Sequence, residues 1–252
     1  MKNRRFIPLV TPFILFILNE LVFIQPKLFF VSLSLGALVL FLSVRILGRE
    51  NREKYWPFFS VLPILIFLGP SSYSALIASK VLVQLMFLLS FLLNFYYLRT
   101  LYYYLVNKEY NRGLQIGSFS VLAGFFIVFS FYTLVFILPL FINLAPALLA
   151  LIPLPVVWFL FFKGVYFNIN SFKDGSLIFL INTLILAQLS WMLSYFPLNS
   201  NILGFLVALI YYLLLIISLL HFKGSLSRRT IKWPLTLVLF SVFILFLTAR
   251  WL

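Results

Sequence analysis

The chain of 252 residues contains no cysteine and only five acidic residues, Glu20, Glu50, Glu53, Glu109 and Asp174. The absence of cysteine excludes disulfides, thiolate nucleophiles and cysteine-ligated metal sites. The acids are scattered singly, whereas a hard cation such as Mg²⁺ is held by several carboxylate oxygens together. The sequence therefore predicts no metal ion and no cofactor.

Residues and motifs typical of catalytic sites are scarce as well. The single histidine, His221, stands near the end of an apolar run, and no serine lies in a G-x-S-x-G sequence. The chain also lacks the H-E-x-x-H sequence of zinc proteases and the Walker A sequence of nucleotide-binding proteins. These absences favour a non-catalytic protein, and an enzyme would have to work with Arg, Lys, Tyr and one or two lone acids.

Apolar residues dominate what is present. Hydrophobic residues make up 64% of the chain and charged residues only 10%, against about 25% charged residues in soluble domains. Apolar runs of about 20 residues recur along the whole length, as helical membrane proteins require. The sequence predicts an all-α integral membrane protein, a polytopic bundle of about nine transmembrane helices in a single domain over 1–252. The predicted spans cover residues 6–24, 28–47, 56–69, 72–98, 114–137, 146–162, 175–196, 202–221 and 233–250.

The positive charges alternate from loop to loop. With the N-terminus placed in the cytoplasm, 16 of the 19 lysines and arginines fall in cytoplasmic segments. The exceptions are Lys27 and Arg250, on the opposite side, and Lys80, within a span. Short loops with this bias follow the positive-inside rule. We expect a multi-pass protein of the plasma membrane or bacterial inner membrane, with a cytoplasmic N-terminus and an external C-terminus. The same bias explains the net charge of +14 without a nucleic-acid partner.

The fourth predicted span carries three polar side chains that hydrocarbon tolerates poorly: Lys80, Gln84 and Asn94. At about 100° per residue, they fall within an arc of roughly 80° on one helix face. Since no proline or glycine interrupts 72–106, we expect one nearly continuous helix there, after a break at Gly69-Pro70. The polar face is either a path or binding site, or the commoner set of interhelical hydrogen bonds.

Glu20 of the first span lies at a depth comparable to that of Lys80. A charge within the bilayer is less costly beside an opposite charge. We therefore expect the first and fourth spans to touch near their outer ends, with Glu20 facing Lys80 directly or through a water. The pair would serve proton or substrate movement, or be purely structural, or the two groups would reach the outer head groups separately. Glu20, Lys80, Gln84 and Asn94 form the candidate intramembrane polar site.

Basic residues near the cytoplasmic ends of the spans are candidate contacts for anionic lipid head groups. They are Arg99, Lys108, Arg112, Arg228 and Arg229. The tyrosines around Arg99 suit a membrane–water interface, and His221 is interpreted as an interface residue. The expected partners are membrane lipids and another membrane protein.

Three functions remain open. The first is a non-catalytic subunit, scaffold or assembly factor of the cell envelope, favoured by the short loops and by small residues such as Gly117, Ser120 and Gly124 that permit close helix contact. The second is a small transporter or lipid flippase that uses the polar face of the fourth span and the proline-broken sixth span. The third is a lipid-modifying enzyme that holds phosphate head groups with basic residues. A water-filled cavity reached by the polar site would favour transport, and a dry bundle would favour a scaffold.

Overall fold

A computed structural model of the chain describes residues 5–48, 56–77, 79–106, 112–142, 149, 151–166 and 175–248. These residues form nine α-helices and no strand, so the predicted all-α helical bundle is confirmed. The helices are α1 (Ile7–Ile24), α2 (Phe29–Gly48), α3 (Trp56–Ser74), α4 (Lys80–Leu105), α5 (Arg112–Ile137), α6 (Leu154–Tyr166), α7 (Gly175–Leu193), α8 (Ser200–Phe222) and α9 (Arg228–Thr248). Short 3₁₀ turns lie at residues 5–6, immediately before α1, and at Pro26–Leu28 and Leu138–Leu140.

Eight of the helices in the described part of the chain are long and apolar enough to cross a membrane. The exception is α6, whose 13 residues are fewer than the roughly 17–25 that a span needs. The predicted sixth span covers 146–162, and of its first five residues, 146–150, the structure describes residue 149 alone. The protein is therefore a multi-pass helical membrane protein, with α6 covering only the later part of the predicted sixth span.

The chain divides into two compact units, Met1–Phe119 and Ser120–Leu252. The first unit contains α1 to α4 and the beginning of α5, and the second contains the rest of α5 with α6 to α9. Both units consist of the same kind of apolar helix. The single domain predicted from the composition stays a prediction.

In the first unit, α1 packs against α4 and α2, and α3 packs against α2 and α4. Gly36 of α2 lies in a close contact with α3, since a Cβ atom at this position would overlap the ring of Phe67. The Phe67 ring is completely buried. A side chain at Gly36 would thus push the two helices apart, which is the reason membrane bundles place small residues at such crossings.

In the second unit, α8 packs against α6, α7 and α9. Gly124 of α5 lies against the hydroxyl of Tyr211 in α8, and Gly204 of α8 lies against Thr133 in α5. The close contact predicted for Gly124 is therefore confirmed. By contrast, only 6% of the apolar window of α9 is buried, so most of this helix faces the surroundings of the protein.

The border between α3 and α4 differs from the predicted one. α3 continues through Gly69 and Pro70 to Ser74, and α4 begins only at Lys80. The prediction of one helix over 72–106 is wrong, because residues 75–77 leave the helix in a turn in which the Leu76 N–H donates to the Tyr73 carbonyl at 3.0 Å. The predicted break at Gly69-Pro70 fails because a neighbouring helix supplies the hydrogen bond that the proline removes.

A proline inside a helix removes the hydrogen bond to the carbonyl four residues before it. Pro70 of α3 leaves the carbonyl of Ile66 without its helical partner, and the hydroxyl of Ser90 in α4 donates to that carbonyl at 3.0 Å. Since water is absent from the hydrocarbon layer, this bond from α4 makes proline tolerable in α3.

The second interior proline of α3 repeats the arrangement one heptad earlier. Pro63 leaves the carbonyl of Phe59 open, and the hydroxyl of Tyr97 donates to it at 2.9 Å. Ser90 and Tyr97 are seven residues apart, as are the two prolines, so antiparallel α3 and α4 match in register.

The connection between α8 and α9 is closely defined at both ends. Gly224 has φ of 63°, and its N–H donates to the His221 carbonyl at 3.0 Å while the Ser225 N–H donates to the Leu220 carbonyl at 3.0 Å. This is the Schellman arrangement that ends a helix with a left-handed residue. The last helix then begins at Arg228, five residues before the predicted 233, because the Ser227 hydroxyl accepts from the Thr230 N–H at 3.2 Å as an N-cap.

Candidate functional site

Glu20 and Gln84, two residues of the candidate polar site, are joined by a hydrogen bond. The Gln84 Nε2 atom donates to the Glu20 Oε2 atom at 3.2 Å, and both side chains are half-buried. The rings of Phe16 and Phe91 meet edge to face on the same pair of helices, with centroids 6.0 Å apart. The predicted contact between the first and fourth spans is therefore confirmed.

Lys80 is the first residue of α4, and its side chain is exposed. It forms no ion pair with Glu20 in the described residues; the amide of Gln84, one turn further along α4, occupies that position instead. The reason is the late start of α4. A lysine at the end of a helix extends its ammonium group outward along its own stem and needs no carboxylate beside it.

Asn94 is completely buried in the first unit. Its Nδ2 atom donates to the carbonyl of Ser90 in the same helix at 3.1 Å, and its Oδ1 atom has no hydrogen-bond partner among the described residues. The side chain therefore faces the protein, as predicted for the polar face of the fourth span. Its bond runs within α4, while Gln84 bonds across to α1.

α1 makes further polar contacts that were not predicted from the sequence. The Ser71 hydroxyl of α3 donates to the Oδ1 atom of buried Asn19 at 2.9 Å. Thr11 lies 2.8 Å from the hydroxyl of Ser43 in α2, and because Ser43 donates to the Val39 carbonyl at 2.7 Å, Thr11 is the donor. Polar bonds thus connect α1 to each of α2, α3 and α4. The signal that was available is Asn19 itself, a polar residue beside Glu20 in an apolar run.

Lys163 belongs to the interior of the second unit. The charge pattern predicts a cytoplasmic segment for it, but the structure places it inside α6 with 0% of its surface exposed. Its Nζ atom lies 6.0 Å from the centre of the Phe159 ring, a cation–π distance. The aromatic residue one turn before it, and the Gly164 and Val165 that continue the apolar helix, were the available signals.

Three hydroxyl groups in the second unit are buried without a hydrogen-bond partner among the described residues: those of Tyr132, Thr133 and Tyr211. The Tyr132 hydroxyl lies near the side chain of Ser190 without the geometry of a hydrogen bond. The Tyr211 ring packs on Phe161 with centroids 4.9 Å apart. Unlike these groups, the Asn182 amide is satisfied, because it donates to the Ser218 hydroxyl at 2.7 Å.

The predicted lipid contacts are distributed over both units. Arg99 is exposed on α4, while Arg228 and Arg229 are exposed at the start of α9. Arg112 is the first residue of α5, and its side chain is not among those described. Lys108 lies outside the described residues altogether. The structure brings Arg99 together with a residue that was not predicted, Arg5, in a cavity.

Three cavities are notable in the described residues. One of about 320 Å³ contains Arg5 and Arg99, and one of about 480 Å³ lies at the α1–α2 turn, where Lys27 is the charged side chain. The third, about 370 Å³, lies between Tyr212 of α8 and Trp233 of α9. None of these three is lined by a residue of the candidate polar site, so they offer that site no water-filled access.

Among the described residues, no group of three or more His, Asp or Glu side chains is arranged to hold a metal ion. Comparisons with protein-family models, with curated proteins and with solved structures found no match. The function is therefore argued from the side chains and their contacts.

Proposed function

We propose that this protein is a non-catalytic membrane protein, a subunit, scaffold or assembly factor of the cell envelope that acts with another membrane protein. The observation that supports this is the use of polar side chains between helices. Gln84 bonds to Glu20, and Ser71 bonds to Asn19. Groups used in this way hold a bundle together, whereas a transport path needs polar groups that are open to a passing ligand.

The proposed orientation places the N-terminus in the cytoplasm and the C-terminus outside, in a plasma membrane or bacterial inner membrane. Its support is the distribution of the 19 basic residues, of which Lys27 and Arg250 alone fall in the segments assigned to the outside. Lys163 is buried inside α6 and so contributes to packing rather than to a loop. The remaining bias still has the same sign.

A transporter is the second candidate, and one observation favours it. The Oδ1 atom of Asn94 is buried without a partner among the described residues, so it is able to accept a hydrogen bond from water or from a small polar ligand. This acceptor distinguishes the two functions only if water or a ligand reaches it from one side of the membrane.

Access is testable because the chain has no cysteine, so that any introduced thiol is unique. We suggest Asn94→Cys and Gln84→Cys as single variants in membrane vesicles of both orientations, treated with a membrane-impermeant maleimide. The control is Ser225→Cys, at an exposed position in the α8–α9 connection. A scaffold predicts labelling of the control only. Labelling of both α4 positions at a rate similar to that of the control would overturn the proposal in favour of transport.

A further inference from the structure

One end of the first unit contains a cavity of about 320 Å³ between the start of α1 and the later part of α4. Its polar lining consists of Arg5, Arg99, Tyr102 and Tyr103, and its apolar lining of Pro8, Leu9 and Phe95. The volume is at the lower end of the roughly 300–1,000 Å³ range of small-molecule sites. A cavity of this size accommodates a compact polar group rather than a large ligand.

The face of α4 that borders the cavity follows from helical spacing. Phe95, Arg99, Tyr102 and Tyr103 stand at positions i, i+4, i+7 and i+8, which lie on one side of a helix. Arg5 approaches from the 3₁₀ turn immediately before α1. Two guanidinium groups from separate segments therefore border one space.

The charged residues that line the cavity within the described part of the chain are both positive. No carboxylate is among its lining residues, and Arg5 and Arg99 form no ion pair within the described part of the chain. The first turn of α1 carries no acidic residue, and Phe6 at its N-cap makes no side-chain capping hydrogen bond. Because the N-terminal end of a helix carries a partial positive charge, the start of α1 adds to the field of the two arginines.

We propose that this cavity binds a phosphate group, as carried by the head group of an anionic membrane lipid. Guanidinium groups bind phosphate oxygens with paired hydrogen bonds, and tyrosine hydroxyls can donate further ones. Leu9 is exposed beside the cavity, so that apolar surface continues from the charged groups toward the side of the helices. This combination fits a head group with attached acyl chains. The proposed lipid site goes beyond the scaffold function and does not depend on it, because a bound lipid is compatible with any role in the membrane.

The test compares two double variants of the full chain in detergent micelles. Arg5→Gln with Arg99→Gln removes both guanidinium groups of the cavity, and Arg228→Gln with Arg229→Gln removes two exposed charges of the second unit. Binding of phosphatidylglycerol is measured by native mass spectrometry, with diacylglycerol as the phosphate-free lipid. We expect the cavity variant to bind phosphatidylglycerol about tenfold more weakly, since charge-assisted phosphate contacts are lost. The control variant should change little, and neither should affect diacylglycerol.

Equal weakening by both double variants would indicate diffuse attraction to positive charge and would overturn the site. Inorganic phosphate forms a second arm: if it occupies the cavity while phosphatidylglycerol does not, the ligand is a soluble phosphate and the lipid assignment is wrong. Arg5→Lys with Arg99→Lys should recover part of the binding, because the charge remains while the paired geometry is lost. If the double glutamine variant does not fold, Arg5→Gln alone gives the same comparison, since Arg5 lies outside the α-helices.

Discussion

Ser90 of α4 donates its hydroxyl hydrogen to the carbonyl of Ile66 at 3.0 Å and so occupies the place of the N–H that Pro70 lacks. The two residues are 24 positions apart in sequence. In hydrocarbon, a carbonyl without a partner costs several kcal/mol, because no water is present to replace the lost bond. The bond therefore lets a proline remain in a helix that crosses the membrane.

Ser90→Ala should destabilise the protein by about 1 kcal/mol, in the range found for interhelical hydrogen bonds in membranes. This is less than the cost of a carbonyl exposed to lipid, because the carbonyl finds other partners in the unfolded reference state. Pro70→Ala restores an N–H four residues after Ile66. In that background the same Ser90→Ala change should cost measurably less, because the carbonyl keeps a helical partner. Unfolding by SDS in mixed micelles, followed by circular dichroism, gives the four free energies of this cycle.

The matched control is Ser34→Ala, which removes an exposed hydroxyl bonded to the Phe30 carbonyl of its own helix. It should change the free energy of unfolding by less than about 0.5 kcal/mol. An equal cost of Ser90→Ala with and without Pro70 would show that the hydroxyl does not substitute for the missing N–H.

Gln84→Met should lower stability by roughly 0.6–2 kcal/mol, because the Glu20 side chain loses the amide that donates to it. A double-mutant cycle with Glu20→Gln should give a clear interaction energy for Glu20 and Gln84. The corresponding cycle for Glu20 and Lys80 should give an energy near zero, since Lys80 is exposed at the helix start. A larger interaction energy of Glu20 with Lys80 than with Gln84 would support an ion pair between Glu20 and Lys80 instead.

Lys163 should react with amine reagents far more slowly than Lys223 and Lys232. All three belong to the second unit, but Lys163 is completely buried while the other two are exposed. Modification of a buried amine requires a local opening of the structure, so its rate is low under native conditions. Reductive methylation of the protein in detergent, followed by peptide mass spectrometry, measures the three rates together. Similar rates before unfolding would contradict the buried position.

A reporter fused after Leu252 should lie outside the cytoplasm, and one inserted between 223 and 227 should lie inside. The expectation follows from the basic residues at the start of α9 and from the length of that helix, which is sufficient to cross a membrane. Enzymatic and fluorescent reporters that work on opposite sides give complementary readings. Two fusions on the same side would show that α9 does not cross, and the interpretation with nine spans would be wrong.

The positions of the long helices were predictable because an apolar run is a local property of the sequence. The end of α3 was not, because Gly69-Pro70 is a turn signal unless Ser90 supplies a bond from another helix. The contact between α1 and α4 was predictable from the depth of Glu20, whereas its partner depended on where α4 begins. The apolar residues around Lys163 permit a continued helix, but whether its side chain is buried depends on the neighbouring helices, which the local sequence does not specify.

The bonds from α4 to α3 have a consequence for synthesis of the protein. The apolar window of α3 is 67% buried, the largest share among the eight candidate spans in the described residues. A newly made α3 surrounded by lipid alone would expose the carbonyls of Phe59 and Ile66, at a cost of several kcal/mol for each. Because only a short connection separates α3 from α4, α4 is synthesised soon after α3 and can bond to it while both helices are at the translocon. The two helices should therefore enter the bilayer together as a hairpin. If synthesis stopped before Ser90, α3 would lack the hydrogen bonds from α4 and should not insert stably.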